Sequence, residues 1–316
     1  MSAFVKLMAF ISRGRVLWQR ASRSARREKS QRQEFYRTLW TQVAQEIGAT
    51  VTKSQGELLC ITRNQATTFV FRNYTDLDGP VTLRAAGNKP FVHEILREQG
   101  IPTPDFVSFS ILKLGAALEF LKAHKKCVIK PAAGTGAGAG VTTGIETPRQ
   151  LRKAAVRAAG YGSDLLVEKQ VPGKNVRLLY LDGRLLDAIE RQPPSVTGDG
   201  NSTVQRLVKK ANDQRREKGT EVAQVFLRYD LDMQRTLAEQ SLSWSAIPNA
   251  GQAVRLKTVI NDNAAVENVS VIEQVCQEVV EVGREAARAI GSRLAGVDVV
   301  ATDLSAPLSQ PGGVVL

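Results

Sequence analysis

The chain has 316 residues, 43% of them hydrophobic and 23% charged, and a formal net charge of +12. That is too apolar for disorder and long enough for one large core or two to three smaller ones. Two histidines, His93 and His124, and three cysteines without paired spacing argue against a zinc centre, a Ser-His-Asp triad and a disulfide framework.

The charge is uneven. Residues 1–37 carry ten Lys or Arg against Glu28 and Glu34, a net +8, whereas the other 279 residues carry only +4. The basicity therefore belongs to an N-terminal extension and is poor evidence for a nucleic-acid-binding body. Its apolar start, Met1 to Ile11, is interrupted by Lys6, is too short to span a bilayer and lacks a small-residue cleavage site. A helical arm that docks by its few apolar residues is expected, with contact to an anionic surface through residues 1–37 as the alternative.

Phe35, Leu39, Val43 and Ile47 recur every four residues and predict an amphipathic helix ended by Gly48. Strand-like runs at 57–62 and 67–72 then make 38–87 a small α/β domain. Lys89 heads a helix over 90–99, stopped by Gly100, Pro102 and Pro104. Helices at 111–123 and 147–160 flank a strand at 127–130, so that about 108–170 forms a compact lid. Cys60 and Cys127 fall in strand-like runs and Cys276 in a helical pattern, which reads as reduced core cysteines of a cytoplasmic protein.

The most informative stretch runs from Cys127 to Gly200. A short apolar strand ends in Lys130, and a loop with Gly134, Thr135, Gly136, Gly138 and Gly140 follows. A second strand, 165–168, opens a turn at Pro172-Gly173, and a third strand pair carries Arg177 and Arg191 towards Gly198-Asp199-Gly200. Glycines let backbone N–H groups close on an anion, and a lysine leaving a buried strand beside them adds a point charge. Glu168, Lys169, Gln170 and Val171 are placed to offer backbone groups to an adenine edge. No Gly-Lys-Ser/Thr closes the loop, so it is not a Walker A motif. The order of parts suggests a nucleotide clamped between two sheets.

Asp182-Gly183 predicts a hairpin turn between strands at 176–181 and 184–190. Ser202 or Thr203 caps a helix to about Ala211, and the charged run 212–219 is expected as a loop. Ile272, Val275, Val279, Val282, Ala286 and Ile290 mark a helix stopped by Gly291. A strand at 297–303 places Asp298 among apolar residues, where a carboxylate needs a partner, and another strand starts at Gly312. Any metal here is expected to be magnesium held by carboxylates.

These residues resemble the ATP-grasp ligases, and most closely the ATP-grasp region of the cyanophycin synthetases. The resemblance rests on Asn88-Lys89-Pro90 with Gly100-Ile-Pro-Thr-Pro104, Ile129-Lys130-Pro131, Glu168 to Arg177, Glu190-Arg191, Thr197-Gly-Asp-Gly200 with Ser202-Thr203, Asn212-Asp-Gln-Arg-Arg216 and Gly296-Val-Asp298. It implies an α/β (α+β) ATP-grasp fold over 88–316, two subdomains clamping a nucleotide behind the small N-terminal domain. By resemblance, ATP and Mg²⁺ are the cofactors. Lys89, Lys130 and the loop of Gly134, Thr135, Gly136, Gly138 and Gly140 hold phosphates, and Glu168, Lys169 and Val171 line the adenine pocket. Asn175 stands where the family has an acid at the ribose. Arg177, Arg191 and Arg255 face the reacting groups, and Asp298 binds Mg²⁺.

The implied reaction is carboxylate–amine ligation through an acyl phosphate, with an amino acid or peptide as substrate and a homo-oligomer left open. The alternative is an ATP-binding protein of the same fold with little or no ligase activity. It is motivated by the Glu-x-Asn metal ligands that such families place after the last Gly-Gly-apolar strand. The chain reaches Leu316 before any such segment, and the Mur-ligase-like half of a cyanophycin synthetase is also missing. Specificity is expected in loops 192–225 and 249–268.

Overall fold

The computed structural model describes residues 2–21, 23–136, 138–217, 226–258, 268–307 and 313–315, with side chains for all of these except 2–6, 18–21 and 23–28. Gly219, Gly312, Leu316 and the parts of the expected specificity loops at 218–225 and 259–267 lie outside the described residues.

Two helices open the chain, α1 (Ser2–Ala21) and α2 (Arg23–Glu46), so the division expected after residue 37 falls inside α2. Behind α2 stands an antiparallel sheet of β1 (Thr50–Gln55), β2 (Leu58–Arg63), β3 (Ala66–Phe71) and β4 (Tyr74–Thr75) in sequential order. Helix α2 meets it with Ala44 and Trp40, which pack on Leu59, Ile61 and Val70. The expected stripe is not the buried one, since Leu39 and Ile47 are exposed. A spacing of four drifts about 40° per step around a 3.6-residue helix, so four such positions spread over about 120° instead of sharing a face.

Helices α3 (Pro80–Ala86) and α4 (Lys89–Glu98) follow, the latter capped by Asn88, whose side chain accepts from the Phe91 N–H at 3.4 Å. A second antiparallel sheet has the order β5-β8-β6-β7, from β5 (Phe106–Ser110), β6 (Cys127–Pro131), β7 (Thr142–Ile145) and β8 (Asp164–Lys169). One face is covered by α5 (Gly115–Ala123) and α6 (Pro148–Ala159), with Cys127, Ile129, Leu165 and Val167 buried against Leu151, Ala154, Ala155 and Ala158. Burial pushes the Cys127 thiol up to about 11, which keeps it protonated. A reciprocal capping box of Thr147 and Gln150 starts α6.

The third sheet has the order β13-β10-β9-β14-β15, from β9 (Lys174–Leu181), β10 (Arg184–Arg191), β13 (Asn268–Ser270), β14 (Leu294–Ala301) and β15 (Val314–Val315). Asp182 and Gly183 both take positive φ, 49° and 76°, as a two-residue hairpin turn between β9 and β10 requires. Helix α9 (Gln277–Ile290) packs on this sheet and ends at Gly291 in the left-handed conformation. It begins after Cys276 because Ile272–Gln274 is a separate 3-10 turn.

Between β10 and β13 a smaller unit holds β11 (Ser195–Thr197), α7 (Val204–Glu217), α8 (Leu231–Glu239) and β12 (Ala253–Arg255) around Val204, Val208, Met233, Leu237 and Leu256. Thr203 caps α7 by accepting from the Arg206 N–H at 3.3 Å. The charged stretch from Asn212 to Glu217 is helix, not loop. Its Arg215 is buried, and the Asn212 amide exchanges two hydrogen bonds with the Leu227 backbone.

Candidate functional site

Strand alternation creates the site. In β6 and β8 the residues Cys127, Ile129, Leu165 and Val167 point to the helices, so Val128, Lys130, Leu166 and Glu168 share the other face. On that face Lys130 Nζ lies 2.7 Å from Glu168 Oε2, and both residues are buried. Helix α4 closes over them. His93 sits with Nε2 3.6 Å from the same carboxylate oxygen, its ring tilted against Phe106. Lys89 opens α4 with its backbone N–H on the Ala132 carbonyl at 3.1 Å.

Burial and the neighbouring Lys130 charge lower Lys89 to about 8, against the pull of Glu168. Glu168 is shifted the other way from what burial alone imposes. Burial would raise it, but the Lys130 ammonium and the nearby His93 outweigh that and hold it below the ordinary carboxylate range.

The third sheet supplies the opposite wall. The β14–β9 register sets Asp298 directly across from Arg177, and the guanidinium donates through Nε and Nη2 to Asp298 Oδ1 and Oδ2 at 2.7 and 2.6 Å. Arg191, two positions along the same face through its pairing with Asn175, brings Nη1 to 3.8 Å from Oδ1. Burial would raise Asp298, yet Arg177, Arg191 and Lys130 of the facing sheet lower it on balance. Burial and the repulsion of Arg177 push Arg191 down against the attraction of Asp298. Lys89, Lys130, Arg177 and Arg191 thus surround Glu168 and Asp298, an arrangement with positive charge in excess and suited to a polyanion.

The glycine loop continues from the end of β6. Gly134 and Gly138 adopt φ near 73° and 69°, and side chains added at Gly134 or Gly136 would meet open space. Thr135 is half-buried between them. At Gly140 a Cβ would fall 2.8 Å from Tyr161 and 2.9 Å from Pro131, so packing alone requires a glycine there.

Other expected residues stand apart. The Lys169 and Gln170 N–H groups donate to the Asp105 and Lys126 carbonyls at 2.9 Å, so neither is directed at a base, and Val171 is half-buried just beyond. Asn175 shares the Arg177 face of β9. Arg255 is on the two-stranded β11–β12 sheet, paired with Ser195 and 3.7 Å from Glu239. A cavity of about 420 Å³ between α2 and β1–β2, lined by Glu34, Arg37, Thr41 and Leu59 among others, contains none of the expected residues.

His93 was not expected, and nothing in its spacing marks it; its place follows from α4 lying on the Lys130 face. A second unforeseen group joins the smaller unit to the second sheet. Asp230, the cap of α8, receives Arg157 of α6 at 2.7 Å and the buried Lys257 at 3.1 Å. Arg235 of α8 also donates to the Gly144 carbonyl of β7.

No family model matches the chain. It is 28% identical over 244 residues to the cyanophycin synthetase of Nostoc sp., covering 77% of this chain and 27% of that protein. It is 30% identical over 236 residues to the glutathione biosynthesis bifunctional protein GshAB of Streptococcus thermophilus, covering 73% of this chain and 31% of that protein. The chain thus spans well under half the length of the curated relatives it matches. Among solved structures, a bifunctional glutathione synthetase from Pasteurella multocida superposes with a TM-score of 0.53 at 24% identity, over 86% of this chain and 38% of that one. The chain therefore has the ATP-grasp fold and resembles, along about three quarters of its length, part of cyanophycin synthetase.

Proposed function

We propose that the chain is an ATP-dependent carboxylate–amine ligase that takes an amino acid or peptide. The observation that carries this reading is the convergence of Lys89 and Lys130 from one side with Arg177 and Arg191 from the other. The likeness to cyanophycin synthetase and GshAB supports it. In this reading the substrate carboxylate attacks the γ-phosphorus of ATP and releases ADP. An amine then attacks the acyl carbon, forming the amide and releasing phosphate.

Both steps develop negative charge on oxygens, which fixed cations stabilise without a nucleophilic side chain. Lys89 and Lys130 bind and orient the phosphates under the glycine loop. Arg177 and Arg191 hold the carboxylate and the transferred group. Mg²⁺ takes one or two protein carboxylates and fills its remaining positions with phosphate oxygens and water. Asp298 fits as one such ligand once Arg177 releases one of its oxygens. Bound there, the ion would offset phosphate charge.

The alternative is nucleotide binding with little or no turnover. Phosphate release from Mg-ATP by this chain, with and without a panel of amino acids and dipeptides, separates the two. Release that rises severalfold with one carboxylate and one amine present is the expected result. ATP binding with no dependence on any of them would leave only the second reading.

A further inference from the structure

Helix α1 has two apolar faces. Its inner face docks on α6: Ala9 packs against the core of the second sheet and Val16 is buried. A Cβ on Gly160 would fall 2.6 Å from the Ser12 hydroxyl, so the two helices are seated without room between them. Among the described residues nothing covers the other face. Leu7 is 55%, Phe10 76% and Leu17 58% exposed, and Ile11 is exposed beside them.

These residues form one ridge. They stand three, four or seven positions from Gly14, the spacings that share a helix face, and a Cβ on Gly14 would meet nothing within 4 Å. Successive residues turn by about 100°, so Arg13 and Arg15 flank the ridge on its two margins, and both are exposed. The whole of α1 carries Lys6, Arg13, Arg15 and Arg20 and no acidic residue. Among the described residues no helix is long and apolar enough to cross a membrane.

We propose that the outer face of α1 is a docking surface for an anionic lipid bilayer, lying in the plane of the interface. An apolar ridge with cations on both margins has the chemistry for it: Leu7, Phe10, Ile11 and Leu17 enter the acyl boundary while Arg13 and Arg15 stay with the headgroup phosphates. A second copy of this chain would set the same arginines against themselves, which the charge pattern disfavours. Because α1 is seated on α6, the bilayer would hold the unit that carries Lys130 and the glycine loop.

The test is co-sedimentation of the full chain with vesicles of phosphatidylglycerol mixed with phosphatidylcholine, and with phosphatidylcholine alone. The chain is expected to sediment with the anionic vesicles and to be released by salt. Phe10→Glu with Leu17→Glu should weaken that binding by about tenfold or more. Arg13→Gln with Arg15→Gln should abolish the preference for anionic over neutral vesicles. The exposed positions predict an unchanged Tm for both variants. Failure of the unmodified chain to sediment, or equal sedimentation of the Phe10→Glu, Leu17→Glu variant, would overturn the proposal. So would a fall in Tm, which would put the ridge inside the folded protein, or a dimer in light scattering that this variant dissolves without any vesicle binding.

Discussion

Lys130 and Glu168 are joined across two neighbouring strands by a 2.7 Å ion pair whose side chains are 10% and 6% exposed. The cation proposed to hold phosphate is thus already paired with a carboxylate. Breaking a buried pair from one side costs about 3–5 kcal/mol, whereas removing both charges costs far less. Lys130→Met should therefore lower Tm strongly, and Lys130→Met with Glu168→Gln should recover most of that loss. Neither variant should show a thermal shift with Mg-ATP. A normal nucleotide shift in the double variant would remove Lys130 from the site.

If Lys89 holds phosphate as proposed, nucleotide binding should depend on pH. Its folded value of about 8 lies below the ordinary lysine value, so near and above pH 8 the folded chain binds fewer protons than the unfolded one. Stability from this group therefore rises with pH between the two values. Nucleotide binding runs the other way, since an anion favours the charged lysine. ATP affinity should fall as pH rises through about 8, with proton uptake visible by calorimetry in buffers of different ionisation heat. Lys89→Met should bind weakly at all pH values and take up no proton.

Asp298 is held below the ordinary carboxylate range, chiefly by Arg177 against the opposing effect of burial. Its stabilisation is present above the unfolded value and is lost as pH falls through the lower folded value. Asp298→Asn should flatten that acid limb of the unfolding profile. It should also reduce Mg-dependent ATP turnover by about a hundredfold while sparing nucleotide binding measured without metal. Equal loss of both would mean that Asp298 acts by holding Arg177 and not through an ion.

Gly283 of α9 lies against Tyr180, whose hydroxyl donates to the Val280 carbonyl at 2.8 Å. A methyl there would run into that hydroxyl and stand 2.8 Å from Leu178. Alanine gains about 1 kcal/mol of helix propensity over glycine, but overpacking a filled core costs about 1–3 kcal/mol. Gly283→Ala should thus be neutral to destabilising by up to about 2 kcal/mol in urea unfolding. A clear stabilisation would show that the helix shifts freely.

Removing residues 1–21 takes away α1 alone, whereas removing 1–37 cuts α2 in the middle. Trp40, which donates to the Arg72 carbonyl at 2.7 Å, would then sit near a frayed end. The shorter deletion should keep cooperative unfolding, and the longer one should loosen the first sheet, as followed by hydrogen exchange in β2 and β3. Equal protection in both would show that α2 needs none of its first half.

Much of this architecture is legible where local chemistry decides the outcome. The Asp182-Gly183 turn, the stop at Gly291 and the cap at Thr203 each follow from residues a few positions apart. Strand β1 is not legible, because Thr50–Gln55 has no apolar alternation and is strand only through pairing with β2. Asp298 illustrates the divide within one residue. Its need for a partner can be read from an apolar strand, but the partner's identity depends on a register with Arg177, 121 positions away. His93 and the Arg157–Asp230–Lys257 group were hidden for the same reason, as was the close packing of Gly140 on Tyr161 and Pro131.

The chain enters the second sheet from α4 through 99–105 and leaves it for the third at 170–173, and the Lys169 N–H on the Asp105 carbonyl ties these two segments side by side. Gly173, at φ 140°, abuts the Ala301 carbonyl with no space for a side chain, which pins the second segment to β14. These contacts fasten the two segments to each other and to β14. Strand β6 has Cys127 next to Lys169 at this fastening and Pro131 at the opposite end. The glycine loop therefore leaves β6 at the end far from this fastening, whereas Glu168 stands one residue from it.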